Sequence, residues 1–163
     1  MENKFIVSSS PHIRSNEDTS YIMKQVILAL VPVAIAAVYY FRISALFVMF
    51  FCILGTVGSE FLYQKLTKQK STIGDCSAIV TGLLLAFNVP ASLPWWMCIL
   101  GGVFAIIVVK MLFGGLGNNF VNPALAGRAF LLASFPVAMT AWTKTGVNWV
   151  SSEIGRASCR ERV

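Results

Sequence analysis

The sequence predicts an all-α integral membrane protein of five transmembrane or half-membrane helices. Three observations lead there. Of 163 residues, 56% are hydrophobic and only 12% are charged, with a mean hydropathy of +0.72. A soluble domain carries about 25% charged residues, and a chain this short cannot hide so much apolar surface in a soluble core. The apolar residues fall into five runs separated by short polar stretches, the pattern of a polytopic membrane protein. The third and fifth runs are interrupted by Pro90 and Pro136.

Residues 1–20 are polar throughout and hold no apolar h-region, so they read as a cytoplasmic leader rather than a signal peptide. Residues 21–150 form the membrane unit. The first segment, Tyr21–Phe41, follows Thr19 and Ser20, both good N-caps, and Lys24 near its start can snorkel to the interface. The second, Ile43–Tyr63, follows after Arg42 alone, which implies a tight helical hairpin. A polar loop with Lys65, Lys68 and Lys70 comes next. The third segment is Cys76–Leu93, the fourth Pro94–Phe113, and the fifth opens at Asn122. Segments one, two and four can cross a hydrocarbon core of ~30 Å. Pro90 limits the third to ~21 Å of helix and Pro136 limits the fifth to ~18 Å, so each is a half-span or a broken span. Such a pair points to a midplane binding site in inverted-repeat membrane proteins; two kinked helices without a ligand are the alternative.

The net charge is +6, or +5 without the last eleven residues, which hold three arginines and two glutamates. That basicity suits cytoplasmic loops and does not require nucleic acid. Lys4, Arg14 and Lys24 share a side with the loop lysines if the first two spans form a hairpin, which places the N-terminus in the cytoplasm. Trp95 and Trp96 then anchor an outer interface. Lys110 falls near the cytoplasmic end of the fourth span, where it snorkels or meets a substrate. Asp75 can cap the third segment. Cys52, Cys76, Cys98 and Cys159 fit no CxxC spacing and read as small packing residues where they border apolar segments. His12 is the only histidine, which argues against a histidine-based metal site. No GxGxxG, P-loop, HExxH or catalytic triad is evident, so no self-contained active site is expected.

The stretch "FGGLGNNFVNPALAGRAF", Phe113–Phe130, carries the most chemistry. Gly114, Gly115 and Gly117 allow left-handed backbone and close approach of a ligand. Asn118 and Asn119 add amide donors and acceptors. Asn122 is a good N-cap and Pro123 suits the first helical position, so free N–H groups there favour an anion or a polarised carbonyl. Arg128 lies in an apolar run, where a charge costs at least ~2.5 kcal/mol and should face a partner or cavity. The competing reading is a re-entrant turn closed by Gly and Asn, with Arg128 paired to a neighbouring subunit.

"VSSSPHIRS" at Val7–Ser15, "GLLLAFNVPASLPWW" at Gly82–Trp96 and "LFGGLGNNFVNPALAGRAFLLASFP" at Leu112–Pro136 closely resemble the RnfD subunit of the Rnf-type ion-translocating electron transport complex, in the NqrB/RnfD family. The resemblance implies ten membrane helices in two inverted repeats, of which these segments form the first, so that the chain is an N-terminal fragment. It implies a flavoprotein subunit in the bacterial cytoplasmic membrane. The complex passes electrons between ferredoxin and NAD while moving Na⁺ or H⁺, together with other membrane and peripheral subunits and the lipid bilayer. It further implies an FMN tied covalently to a Thr in an S-G-A-T-like motif after the fifth span, and among relatives a non-covalent riboflavin. Gly114, Gly115, Gly117, Asn118, Asn119, Asn122 and Arg128 would then lie near the cofactor chain. An inverted-repeat permease or channel subunit without a cofactor is the second hypothesis.

The sequence departs from the family at one place: no S-G-A-T-like motif is present, and Thr140, Thr143 and Thr145 do not match it. The resemblance fades near Val150, residues 151–152 are unassigned, and Glu153–Val163, "EIGRASCRERV", can be back-translated into codons that resemble a common short-read sequencing adapter; a genuine basic arm is the alternative. That tail is therefore expected to be foreign to the protein, and the fragment alone is expected to be inactive.

Overall fold

The computed structural model describes residues 19–68, 73–115, 117–119 and 121–141. Most of the leader, Lys70, Thr143, Thr145, Cys159 and the tail at 153–163 lie outside the described residues. Every regular element among the described residues is helical, as an all-α membrane protein requires. They are α1 (Thr19–Phe41), α2 (Ile43–Thr67), a 3₁₀ turn (Ile73–Asp75), α3 (Ser77–Asn88), α4 (Trp95–Met111), α5 (Pro123–Ser134) and α6 (Pro136–Thr140).

The predicted half-spans take shape as two helices of 12 residues each, α3 and α5. α3 stops at Asn88, two residues before Pro90, and α5 stops just before Phe135 and Pro136, because proline cannot donate the next helical bond and its ring restricts the residue ahead of it. Two details differ from expectation. Thr19 and Ser20 lie inside the first turn of α1 rather than at its cap. Asp75 does not cap α3: Cys76 occupies that position with φ 57° and makes no capping side-chain bond.

α2 is the hub. Its buried residues Ser44, Val48, Cys52, Gly55, Thr56, Ser59 and Glu60 recur at helical spacing on one face. Leu46, Phe47, Phe50, Leu54, Phe61 and Leu62 on the other face are exposed. Close approach is built from glycine: a Cβ on Gly55 would lie 2.9 Å from Ile99 Cα on α4, and one on Gly82 of α3 would lie 2.8 Å from Ile53 Cα. α5 packs on α4 through stacked Phe104 and Phe130, with ring centroids 4.2 Å apart. Cys52 and Cys98 are fully buried in this core, as their reading as packing residues anticipates.

α4 changes geometry along its length. It is α-helical over Trp95–Phe104 and π-helical over Ala105–Met111. The wider winding shows in Leu112 N donating to Ile107 O (3.1 Å) and Gly115 N donating to Lys110 O (2.9 Å), each five residues back. π segments concentrate at functional sites because they redirect side chains within an otherwise continuous helix. Here the redirected residues include Lys110.

Candidate functional site

The Gly-rich loop adopts the backbone its composition predicts. Gly114, Gly115 and Gly117 have φ of 100°, 93° and 91°, a region that disfavours a Cβ. Asn118 N donates to Gly115 O at 3.3 Å, and its side chain is exposed. Asn122 caps α5, its Oδ1 accepting from Ala124 N at 3.0 Å, with Pro123 at the first helical position. The loop therefore ends in a defined helix start.

Beside it lies a cleft of about 370 Å³, lined by Met23 of α1, Ser77, Val80 and Thr81 of α3, Lys110 of α4, and Asn119, Val121, Asn122 and Pro123. Asn119 Oδ1 is buried and has no hydrogen-bond partner among the described residues. A buried acceptor left bare costs about 1–3 kcal/mol, so this atom is a natural docking point for an N–H or O–H donor. Asn119 and Asn122 share the cleft, whereas Gly114, Gly115, Gly117 and Asn118 form the loop leading to it and do not line it. Arg128 is elsewhere: its Nη1 donates to Asn88 Oδ1 at 3.2 Å, tying α5 to the C-terminal end of α3.

At the cleft wall sits a charge network that the sequence reading missed. Lys110 Nζ lies 2.7 Å from Glu60 Oε2 and 2.8 Å from Ser77 Oγ, with the side chains 3% and 0% exposed in the ion pair. Gln64 Nε2 donates to Glu60 Oε1 at 3.1 Å. Lys110 thus does not snorkel; it turns inward, into the ion pair and the wall of the cleft. Each charge compensates the other, without which burial in this apolar setting would be prohibitive. The signal for Glu60 was available: an acid flanked by apolar runs is a site hypothesis by default.

The site combines a left-handed, amide-rich loop, a helix start, a bare acceptor and a buried ion pair in one apolar bundle. It can hold a small polar ligand through directed hydrogen bonds.

Comparison with known proteins shows what the chain is similar to. Residues 6–157 match the sequence profile of the NQR2, RnfD, RnfE family. A subunit of the Na(+)-translocating ferredoxin:NAD(+) oxidoreductase complex of Acetobacterium woodii is 53% identical over 139 residues, covering 85% of this chain and 44% of the relative. One from the proton-translocating ferredoxin:NAD(+) oxidoreductase complex of Clostridium ljungdahlii is 44% identical over 151 residues, 93% of this chain and 46% of the relative. Another, from the ion-translocating oxidoreductase complex of Shigella boydii, is 46% identical over 140 residues, 85% of this chain and 40% of the relative. All three carry the letter D within their complexes. The chain spans less than half the length of these curated relatives. The match runs through the helical bundle, the Gly-Asn loop and the "NPALAGRAF" helix start, and the chain belongs to the NQR2, RnfD, RnfE family.

Proposed function

We propose that this chain is the N-terminal membrane repeat of an RnfD-type subunit that carries electrons within an ion-translocating ferredoxin:NAD⁺ oxidoreductase complex of the bacterial cytoplasmic membrane. Its N-terminus faces the cytoplasm, and it works against a second inverted repeat, the other subunits of the complex and the bilayer. The names of the relatives support the complex. They differ in the ion, Na⁺ in one and the proton in another, so either ion fits this reading.

The observation that carries the cofactor is the cleft. A flavin presents carbonyl and N–H groups side by side on its pyrimidine edge. Asn119 Oδ1 is a buried acceptor with no partner among the described residues, and the Lys110 ammonium is a donor on the same wall. The residues fit a non-covalently held flavin such as riboflavin, with Asn119 and Lys110 meeting its polar edge and Val80, Val121 and Pro123 offering apolar contact. Bound there, a flavin supplies one- and two-electron transfer. Covalent FMN belongs, on this reading, to a Thr beyond the matched residues of this chain.

The chain's own part is threefold. Gly114, Gly115 and Gly117, all at positive φ, let the chain turn from α4 toward the segment that carries Asn119. Asn122 fixes the start of α5 beside it. The buried side chains of Ser77, Thr81 and Lys110 hold the polar wall of the cleft in place, Lys110 Nζ donating to Ser77 Oγ at 2.8 Å.

The test uses the full-length subunit purified in its complex. Flavin absorbance that survives denaturation on the polypeptide reports the covalent FMN, and flavin released on denaturation reports the second site. Asn119→Leu should lower the released fraction at least tenfold. A complex that moves ions with no flavin on this subunit would support the cofactor-free permease instead.

A further inference from the structure

Lys110 belongs to two arrangements at once. Its ammonium is the counter-ion of Glu60, and the same residue forms part of the cleft wall. An ammonium has three N–H donors. One goes to Glu60 Oε2 and one to Ser77 Oγ. Among the described residues the third has no acceptor. Glu60, by contrast, is held from both sides, by Lys110 at one oxygen and Gln64 at the other.

The position of the lysine head is therefore a contest between two acceptors. In a buried, water-poor setting a charge pulls on an ammonium far more strongly than in water. A cleft ligand that gains negative charge competes with Glu60 for the Lys110 ammonium. Anything that neutralises Glu60 hands that cation to the cleft. The backbone adds a second link, because Gly115 N donates to Lys110 O and so ties the Gly-rich loop to the base of this lysine.

We infer that Lys110 couples the cleft to Glu60: charge gained by a cleft ligand draws the ammonium off Glu60, and loss of charge at Glu60 stabilises the more negative form of the ligand. Coupling of this kind is reciprocal by thermodynamic necessity. The inference rests on the reading that a redox-active ligand occupies the cleft, and it adds the residue that makes the two sites feel one another.

The experiment is a redox titration of the releasable flavin in the intact complex, for wild type, Glu60→Gln, Lys110→Met and the double variant. Glu60→Gln should raise the midpoint potential and Lys110→Met should lower it, each by about 30 mV, the equivalent of tenfold for a two-electron couple. The double variant should match Lys110→Met alone, since Glu60 acts through the lysine. Equal shifts from Glu60→Gln with and without Lys110 mean simple through-space electrostatics and overturn the coupling. So does an unchanged potential in Glu60→Gln. If that variant fails to assemble, Glu60→Asp, which withdraws the carboxylate by one methylene, should shift the potential in the same direction, and no shift there overturns the inference equally. Asn119→Leu separates the two levels. Full retention of releasable flavin in that variant overturns the cofactor reading itself. Loss of flavin there with no effect of Glu60→Gln in the parent overturns only the coupling.

Discussion

Lys110 on the π-helical end of α4 reaches Glu60 on α2 at 2.7 Å, joining two residues 50 positions apart in the chain. Both are removed from solvent, so neither can lose the other cheaply. Lys110→Met alone should destabilise the protein by about 3–5 kcal/mol, because it strands a buried carboxylate. Lys110→Met with Glu60→Gln should lose much less. Thermal melting of the solubilised complex measures both, and equal losses would show that the pair is not what the single variant breaks.

The α2–α3 crossing sets a second expectation. A Cβ on Gly82 would meet Ile53 Cα at 2.8 Å and Thr56 Oγ1 at 2.5 Å, whereas one on Gly58 of α2 meets nothing within 4 Å. Gly82→Leu should cost at least ~1–3 kcal/mol through overpacking, with Gly58→Ala close to neutral. Melting temperatures of the two variants, side by side, decide it.

The loop separates torsional strain from contact. Gly115 has φ 93° and open space where a Cβ would go, so Gly115→Ala should cost ~1–2 kcal/mol from backbone conformation alone. Asn122→Ala removes the α5 cap and should cost ~1 kcal/mol, with Asn122→Asp largely restoring it. Chemical denaturation of each variant beside the parent protein measures both costs.

Arg128 makes one hydrogen bond among the described residues, to Asn88 Oδ1 at 3.2 Å. Asn88→Ala should therefore cost only ~1 kcal/mol. Arg128→Ala should cost more if the remaining guanidinium donors serve the rest of the complex, which co-purification of the other subunits would reveal. Equal effects confine Arg128 to tying α5 to α3.

Much of the fold was legible because apolar runs and prolines act locally. Pro90 and Pro136 stop α3 and α5 near the residues where pattern alone placed the breaks, and the glycines of the loop declare their backbone. The site was only half legible. Asn119 and Asn122 stood out as polar residues in a Gly-rich stretch, but nothing local paired Glu60 with Lys110. That pairing depends on α4 lying against α2 and on the π winding that turns Lys110 inward. Neither is a local property: no Gly or Pro inside Ala105–Met111 marks the π segment, and pairing across helices requires the packed bundle.

α1 has no buried residue, yet it supplies Met23 to the cleft. The remaining walls come from α3, α4 and the loop before α5, which are pinned by the core and by Asn122. The bundle thus confines a guest on three sides with its most tightly held parts and on the fourth with its least. Traffic in and out of the cleft need not wait for the fold to break. Its tempo would be set by how often one loosely packed helix leans away, and amide exchange along residues 19–41 would time that motion.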